Sequence, residues 1–133
     1  MDEGDTLANA LVGGAVTFFT GNFVPFAPVL GGAIAAYLEG GSRRDGVRVG
    51  AYSGFIAYVP LLALTVVVSS VLGVVGFGIG FLNRGGVGLG IAGFLGAIVF
   101  LLILVVSFLY FVGGGALGGW LGNYLKHDSD LDL

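Results

Sequence analysis

Cysteine is absent from the chain, which excludes disulfides, thiolate metal sites and thiol chemistry. Charge is scarce: 10% of the 133 residues are charged, against about 25% in an average soluble domain. Proline occurs three times, at Pro25, Pro28 and Pro60, and histidine once, at His127. No Gly-Lys-Ser or Gly-Lys-Thr is present, so no phosphate loop is encoded. No Asp, Glu, Lys, Arg or His falls in the middle of the long apolar segments, where ion-coupled transporters and proton relays generally keep an ionisable group. Without a base and nucleophile pair, the sequence reads as a non-enzyme.

What the chain does contain is apolar surface and glycine. Hydrophobic residues make up 56%, mean hydropathy is +1.03, and 27 residues are glycine. Apolar segments run from about residue 7 to residue 125 with three polar interruptions, which predicts one integral membrane domain and leaves no room for a soluble catalytic one. The N-terminus is acidic where a secretory signal is basic, so the first apolar segment is expected to be retained.

The expected fold is all-α, a membrane bundle of about four helices at residues 7–23, 28–39, 46–72 and 91–124, with acidic tails at 1–6 and 126–133. The first two segments are shorter than the roughly 20 residues that cross a hydrocarbon core, and Pro25 and Pro28 between them predict a hairpin tip. That hairpin either spans a thinned bilayer or is re-entrant. Pro28 suits a first helical turn, and Gly40 and Gly41 suit a left-handed C-cap. Ser42 and Asp45 have the spacing of a capping box ahead of the third helix. Pro60 should kink that helix by removing the partner of the Ile56 carbonyl. Residues 73–90 hold eight glycines, each costing about 1 kcal/mol in a helix relative to alanine. They read as an interfacial connector, with Phe77 and Phe81 in lipid and Asn83 and Arg84 in water.

Basic residues set the orientation. Arg43, Arg44 and Arg48 share one loop and Lys126 follows the last span, whereas Arg84 stands alone. The positive-inside rule then places the first loop and both termini in the cytoplasm, in a multi-pass protein of the cell membrane. The three arginines either bind anionic lipid head groups or only fix topology, with Glu39 and Asp45 close enough to pair with them. Topology is the simpler reading. Eight acids against one lysine, and a pI near 4.7, match proteins of high-salt cytoplasms or, more simply, two short solvated tails.

Small residues every fourth position let membrane helices approach backbone to backbone. Two such stripes stand out: Gly46, Gly50 and Gly54 on the third helix, and Gly114, Gly118 and Gly122 on the fourth. The helices run antiparallel, so both stripes fall at the cytoplasmic depth and are expected to face each other. Weaker stripes are Gly32, Ala36 and Gly40 on the second helix, and Ala10 and Gly14 with Gly13 and Thr17 on the first. Trp120 and Tyr124 are one turn apart, as interfacial anchors.

Other motifs carry little chemistry. Gly88-Leu89-Gly90-Ile91-Ala92-Gly93 matches a dinucleotide fingerprint but lacks the preceding strand and the later acid. His127 lies beside Lys126 in a tail whose Asp128, Asp130 and Asp132 lack the glycine turn and terminal glutamate of a calcium loop, so no metal or cofactor is expected. An acidic chain without a basic surface gives no basis for nucleic-acid binding. Thr65, Ser69, Ser70 and Ser107 offer hydroxyls for a solute path or, more simply, for back-bonding within their helices.

The run Pro25-Phe26-Ala27-Pro28-Val29-Leu30-Gly31-Gly32, leading to Tyr37-Leu38-Glu39-Gly40-Gly41-Ser42-Arg43-Arg44-Asp45-Gly46-Val47-Arg48-Val49-Gly50, resembles a family of small uncharacterised haloarchaeal membrane proteins, as does the Gly118-Gly119-Trp120-Leu121-Gly122-Asn123-Tyr124-Leu125 stretch. The resemblance implies a halophilic archaeal source and about four membrane helices, and transfers no activity. The expected function is structural: self-association, or association with another membrane protein, in contact with membrane lipids. A small channel or carrier for a neutral solute or ion is the alternative.

Overall fold

The computed structural model describes residues 3–21, 23–84 and 86–128, except the side chains of residues 3, 4, 77, 81, 83–89, 127 and 128. Four helices and no strand occur among the described residues: α1 Glu3–Thr20, α2 Ala27–Glu39, α3 Arg43–Arg84 and α4 Gly86–Asp128. Two of them, α3 and α4, are long and apolar enough to cross a membrane.

Local sequence explains the helix ends. The break after α1 is held by amides of Phe23 and Val24, which both donate to the Thr20 carbonyl at 2.9 Å. Proline at position 25 then keeps the chain from re-entering a helix until Ala27, with Pro28 in the first turn of α2. Gly40 closes α2 at φ +66°, its amide donating to the Ala36 carbonyl at 3.2 Å; side chains rarely tolerate that conformation. Asp45 accepts hydrogen bonds from the Ser42 amide (2.9 Å) and hydroxyl (2.7 Å), while the Ser42 carbonyl takes the first helical bond from Gly46. The capping residues therefore meet as their spacing suggests, with the serine hydroxyl donating to the aspartate.

Three boundaries differ from the sequence expectation. The first helix occupies Glu3–Thr20 rather than 7–23, because the turn closes on Thr20 before the prolines. The acidic stretch 3–6 and residues 126–128 are helical, while Met1, Asp2 and residues 129–133, with Asp130 and Asp132, lie outside the described residues. The third difference is larger: the glycine-rich connector expected at 73–90 is helical on both sides of Gly85, extending α3 to Arg84 and starting α4 at Gly86. Glycine weakens a helix because the unfolded chain gains freedom, but within hydrocarbon, which α3 and α4 are long and apolar enough to cross, amides and carbonyls left unpaired would cost several kcal/mol each. In that setting the saving would outweigh about 1 kcal/mol per glycine. The side chains of Phe77, Phe81, Asn83 and Arg84, on which the interfacial reading rests, lie outside the described ones. Helix α4 also carries the Gly88–Gly93 fingerprint, which thus sits in a helix and not at the strand-to-helix turn that dinucleotide binding requires.

The chain forms two compact units, Met1–Val59 with Ser107–Leu133, and Pro60–Val106. One boundary coincides with Pro60, the residue of α3 that donates no amide hydrogen bond. In the first unit the buried apolar residues are mostly small: Ala10, Ala27, Ala35, Ala36 and Ala57, with Val49 and Tyr58. Large apolar side chains such as Phe19, Leu30, Leu117 and Leu125 point outward. Its interior is built from backbone and methyl groups, so close van der Waals approach rather than bulky side chains fills the space. An aromatic group caps it one turn beyond Gly54, with Tyr58 edge-on to Phe108 at 5.6 Å and 6.0 Å from Phe111. The second unit has the opposite character: Val67, Val71, Leu72, Val74, Ile91 and Phe94 are all exposed.

Candidate functional site

Most glycines of the first unit lie at helix crossings, whereas Gly113 has open space around it. A methyl group on Gly50 would strike the Gly115 carbonyl and come within 2.8 Å of the Gly119 Cα; one on Gly54 would strike the Phe111 carbonyl, and one on Gly46 would come within 2.8 Å of the Gly119 carbonyl. The stripe Gly46, Gly50 and Gly54 therefore meets Phe111, Gly115 and Gly119. It does not face Gly114, Gly118 and Gly122, which is a correction to the expected pairing. Those three turn toward α2 instead: Gly114 toward Pro28, Gly118 against the Val29 carbonyl and Gly122 against the Ala33 carbonyl. The physical reason is the 100° step between successive helical residues. Positions 114 and 115, or 118 and 119, open neighbouring faces of α4, so paired glycines serve two partners at once.

The other helices complete the arrangement. Gly32 of α2 packs on the Gly115 carbonyl, and Gly31 and Gly13 approach each other's backbone between α2 and α1. Gly14 of α1 faces Ile56 of α3, where a methyl group would come within 2.8 Å of its side chain. Ala36 is fully buried on α2. Thr17 spends its hydroxyl on the Gly13 carbonyl at 2.9 Å, and Ser53, fully buried, places its hydroxyl 2.6 Å from where a Gly13 methyl would stand.

Polar groups at one end tie this packing together. Glu39, the last residue of α2, is 8% exposed and accepts hydrogen bonds from Thr6 Oγ1 (2.6 Å) and Asn9 Nδ2 (2.7 Å) of α1. Its oxygens thus bond to α1 rather than to the arginines considered as partners, because the inward face of α2 at its last turn meets α1. Asn123, fully buried, donates from Nδ2 to the carbonyls of Gly41 (2.8 Å) and Ser42 (3.0 Å), fixing the α2–α3 loop to α4. Lys126 donates to the Tyr37 carbonyl at 3.0 Å and sits 5.3 Å above that tyrosine's ring. Arg43 lies 5.9 Å over the Tyr124 ring, which stacks on Trp120, and Arg48 bonds to the Tyr52 hydroxyl at 3.1 Å.

Sequence reasoning passed over Glu39 and Asn123 as anchors. Asn123 was findable: it continues the four-residue series Phe111, Gly115, Gly119, and a polar side chain in such a series needs a partner where the helices meet. Replacing Asn123 with Ala should strand two loop carbonyls and lower stability by about 1–3 kcal/mol, read as a fall in the unfolding midpoint in detergent, whereas Asn123→Asp should do no better because it lacks the amide donor.

The second unit holds an open cleft of about 600 Å³ between α3 and α4, lined by Ser69, Ser70, Gly73, Gly93, Gly96 and Phe100 among others. Gly73, Gly76, Gly78, Gly90, Gly93 and Gly96 have no atom within 4 Å of an added methyl group. Thr65 and Ser70 donate their hydroxyls to the carbonyls of Leu61 and Val66 in their own helix, each at 2.8 Å. No group of three or more His, Cys, Asp or Glu suited to a metal ion occurs among the described residues, and the side chain of His127 lies outside them.

No curated protein and no solved structure matches the chain. A family model does match, across residues 7–125, a stretch that takes in every glycine crossing and both polar anchors just described. The chain belongs to the family of unknown function DUF5518.

Proposed function

We propose that this is a non-enzymatic integral membrane protein whose first unit is a self-sufficient glycine-packed bundle and whose second unit associates with another helix, in a second copy or in another membrane protein. The observation that carries this reading is a contrast between glycines. Those at 46–54 and 114–122 are met by atoms of the same chain, mostly backbone, whereas those at 73–78 and 90–96 have open space. A helical stretch that keeps so many glycines at a cost of about 1 kcal/mol each, without using them internally, is suited to close approach by a further helix. Exposed apolar side chains on α3 and α4 support a membrane setting, since water-soluble monomers rarely carry apolar patches beyond a few hundred Å². In that setting the 40–48 loop and α4's end face the cytoplasm by their basic residues, α1 and α2 form a hairpin too short for a full crossing, and the acidic balance fits a salt-rich cytoplasm such as a haloarchaeon's. The three arginines then set topology.

Crosslinking and native mass spectrometry in lipid test the association. Wild type should give a defined oligomer or a copurifying membrane partner, and Gly93→Leu with Gly96→Leu should abolish it while leaving helix content unchanged. Monomer only, with no partner from native membranes, would sink the reading. The cleft beside Ser69 and Ser70 supports a second reading, a small channel or carrier for a neutral solute or ion, although the Thr65 and Ser70 hydroxyls already bond within α3. Solute flux in proteoliposomes that is lost with Ser69→Leu would favour it over association.

A further inference from the structure

We propose that the groove between α2 and α4 is a binding site for one acyl chain of an anionic phospholipid, with the Lys126 ammonium at its mouth holding the phosphate. The groove has a volume of about 250 Å³ and is lined by Ala33, Ile34, Tyr37, Leu38, Gly122 and Leu125. Apart from the tyrosine hydroxyl, those side chains present only carbon, so nothing in the groove orients a polar ligand. Pockets for drug-sized molecules start at about 300 Å³, so this one suits a segment of chain rather than a whole compact ligand. Its floor exists because Gly122 lies on the Ala33 carbonyl: a side chain there would strike the α2 backbone and force apart the two helices that wall the groove.

Charge at the mouth selects the head group. Lys126 follows Leu125 on the groove wall and is held over the ring of Tyr37, another wall residue, while one of its three donors goes to the Tyr37 carbonyl. That contact fixes the ammonium beside the groove and leaves donor capacity for a phosphate. Two acids at this end are engaged elsewhere: Glu39 bonds inward to Thr6 and Asn9, and Asp45 to Ser42. The basic residues are Lys126 with Arg43, Arg44 and Arg48, and Arg43 and Arg48 lie over Tyr124 and Tyr52 rather than over Tyr37. Lys126 is therefore the cation that belongs to the groove, and an anionic lipid is the occupant whose two ends match apolar wall and positive mouth together.

The site rests on the membrane reading, and the experiment separates the two. The full chain is reconstituted in bilayers of equal phosphatidylglycerol and phosphatidylcholine, extracted with alkaline carbonate to establish insertion, and then analysed by native mass spectrometry for retained lipid. Expected is retention of one phosphatidylglycerol at about fivefold preference, the effect of one cation beside an anionic head group. Lys126→Gln should bring the preference to near one, Lys126→Arg should keep it, and Arg44→Gln should leave it unchanged. Ile34→Trp, which fills the groove from its exposed rim, should reduce retention of both lipids at unchanged helix content. Extraction of the chain by carbonate overturns the membrane reading and the site with it. An inserted chain overturns the site alone if it shows no preference, if Arg44→Gln lowers the preference as much as Lys126→Gln, or if Ile34→Trp retains lipid like wild type.

Discussion

Gly50→Ala should unfold the first unit or lower its stability by about 3 kcal/mol or more, although it adds a single methyl group and favours the helix. Alanine is the better helix former by about 1 kcal/mol, so propensity alone predicts a gain. Packing reverses the sign. The new methyl would overlap the Gly115 carbonyl and lie 2.8 Å from the Gly119 Cα, and both are backbone atoms that move only if α3 and α4 separate. Overpacking in a tight core costs about 1–3 kcal/mol where side chains can adjust, and here none is available to adjust. Gly76→Ala on the same helix is the control: with open space around it, it should leave the first unit intact and raise stability by up to about 1 kcal/mol. Steric trapping or detergent unfolding of the two variants measures the contrast. Equal midpoints would mean that α3 and α4 do not cross at Gly50.

The neighbouring stripe makes the face assignment separable. Gly118→Ala should loosen α2 from α4, because its methyl meets the Val29 carbonyl, whereas Gly50→Ala should loosen α3 from α4. Cysteine pairs introduced across each crossing would report which contact opens in which variant. Opening of the α2–α4 contact by Gly50→Ala, with the α3–α4 contact kept, would contradict the assignment of positions 115 and 119 to α3.

The second large effect is expected at Glu39. Glu39→Ala removes a nearly buried carboxylate that takes hydrogen bonds from both Thr6 and Asn9, and so should detach the start of α1 from the end of α2. A hydrogen bond to a charged group contributes about 1.5–3 kcal/mol, so losing the pair should cost about 3 kcal/mol or more. Glu39→Gln keeps one acceptor oxygen and turns an amide toward the other donor, so it should recover at most about half. Protease cleavage in the first helix, or faster amide exchange over residues 5–12, reads the detachment directly. A Glu39→Ala chain with unchanged exchange in α1 would show that the two hydrogen bonds contribute nothing to docking that helix.

These expectations draw on two levels of information. Helix ends were largely legible as local chemistry: Gly40 as a left-handed cap, Ser42 with Asp45 ahead of α3, and Pro25 with Pro28 at the first turn act within a few residues of chain. The connector at 73–90 was misread because glycine propensity describes competition with a hydrated unfolded chain. Within hydrocarbon that competitor would be lost, and α3 and α4 do extend to either side of Gly85.

All-α character, apolar length and the presence of small-residue stripes follow from residue type and spacing, since helical periodicity is a property of one segment at a time. Which stripe meets which does not. Gly114 and Gly115, or Gly118 and Gly119, look interchangeable as letters, yet the 100° between them sends one to α2 and the other to α3. Glu39 reaching Thr6, and Asn123 reaching the 41–42 carbonyls, join residues 33 and about 80 positions apart, a choice set by rotation and depth of packed helices. The two glycine runs were legible as surfaces for close approach. Only the tertiary arrangement decided that the chain fills both from within itself and leaves open the glycines at 73–78 and 90–96, because a contact between helices is fixed by the geometry of both.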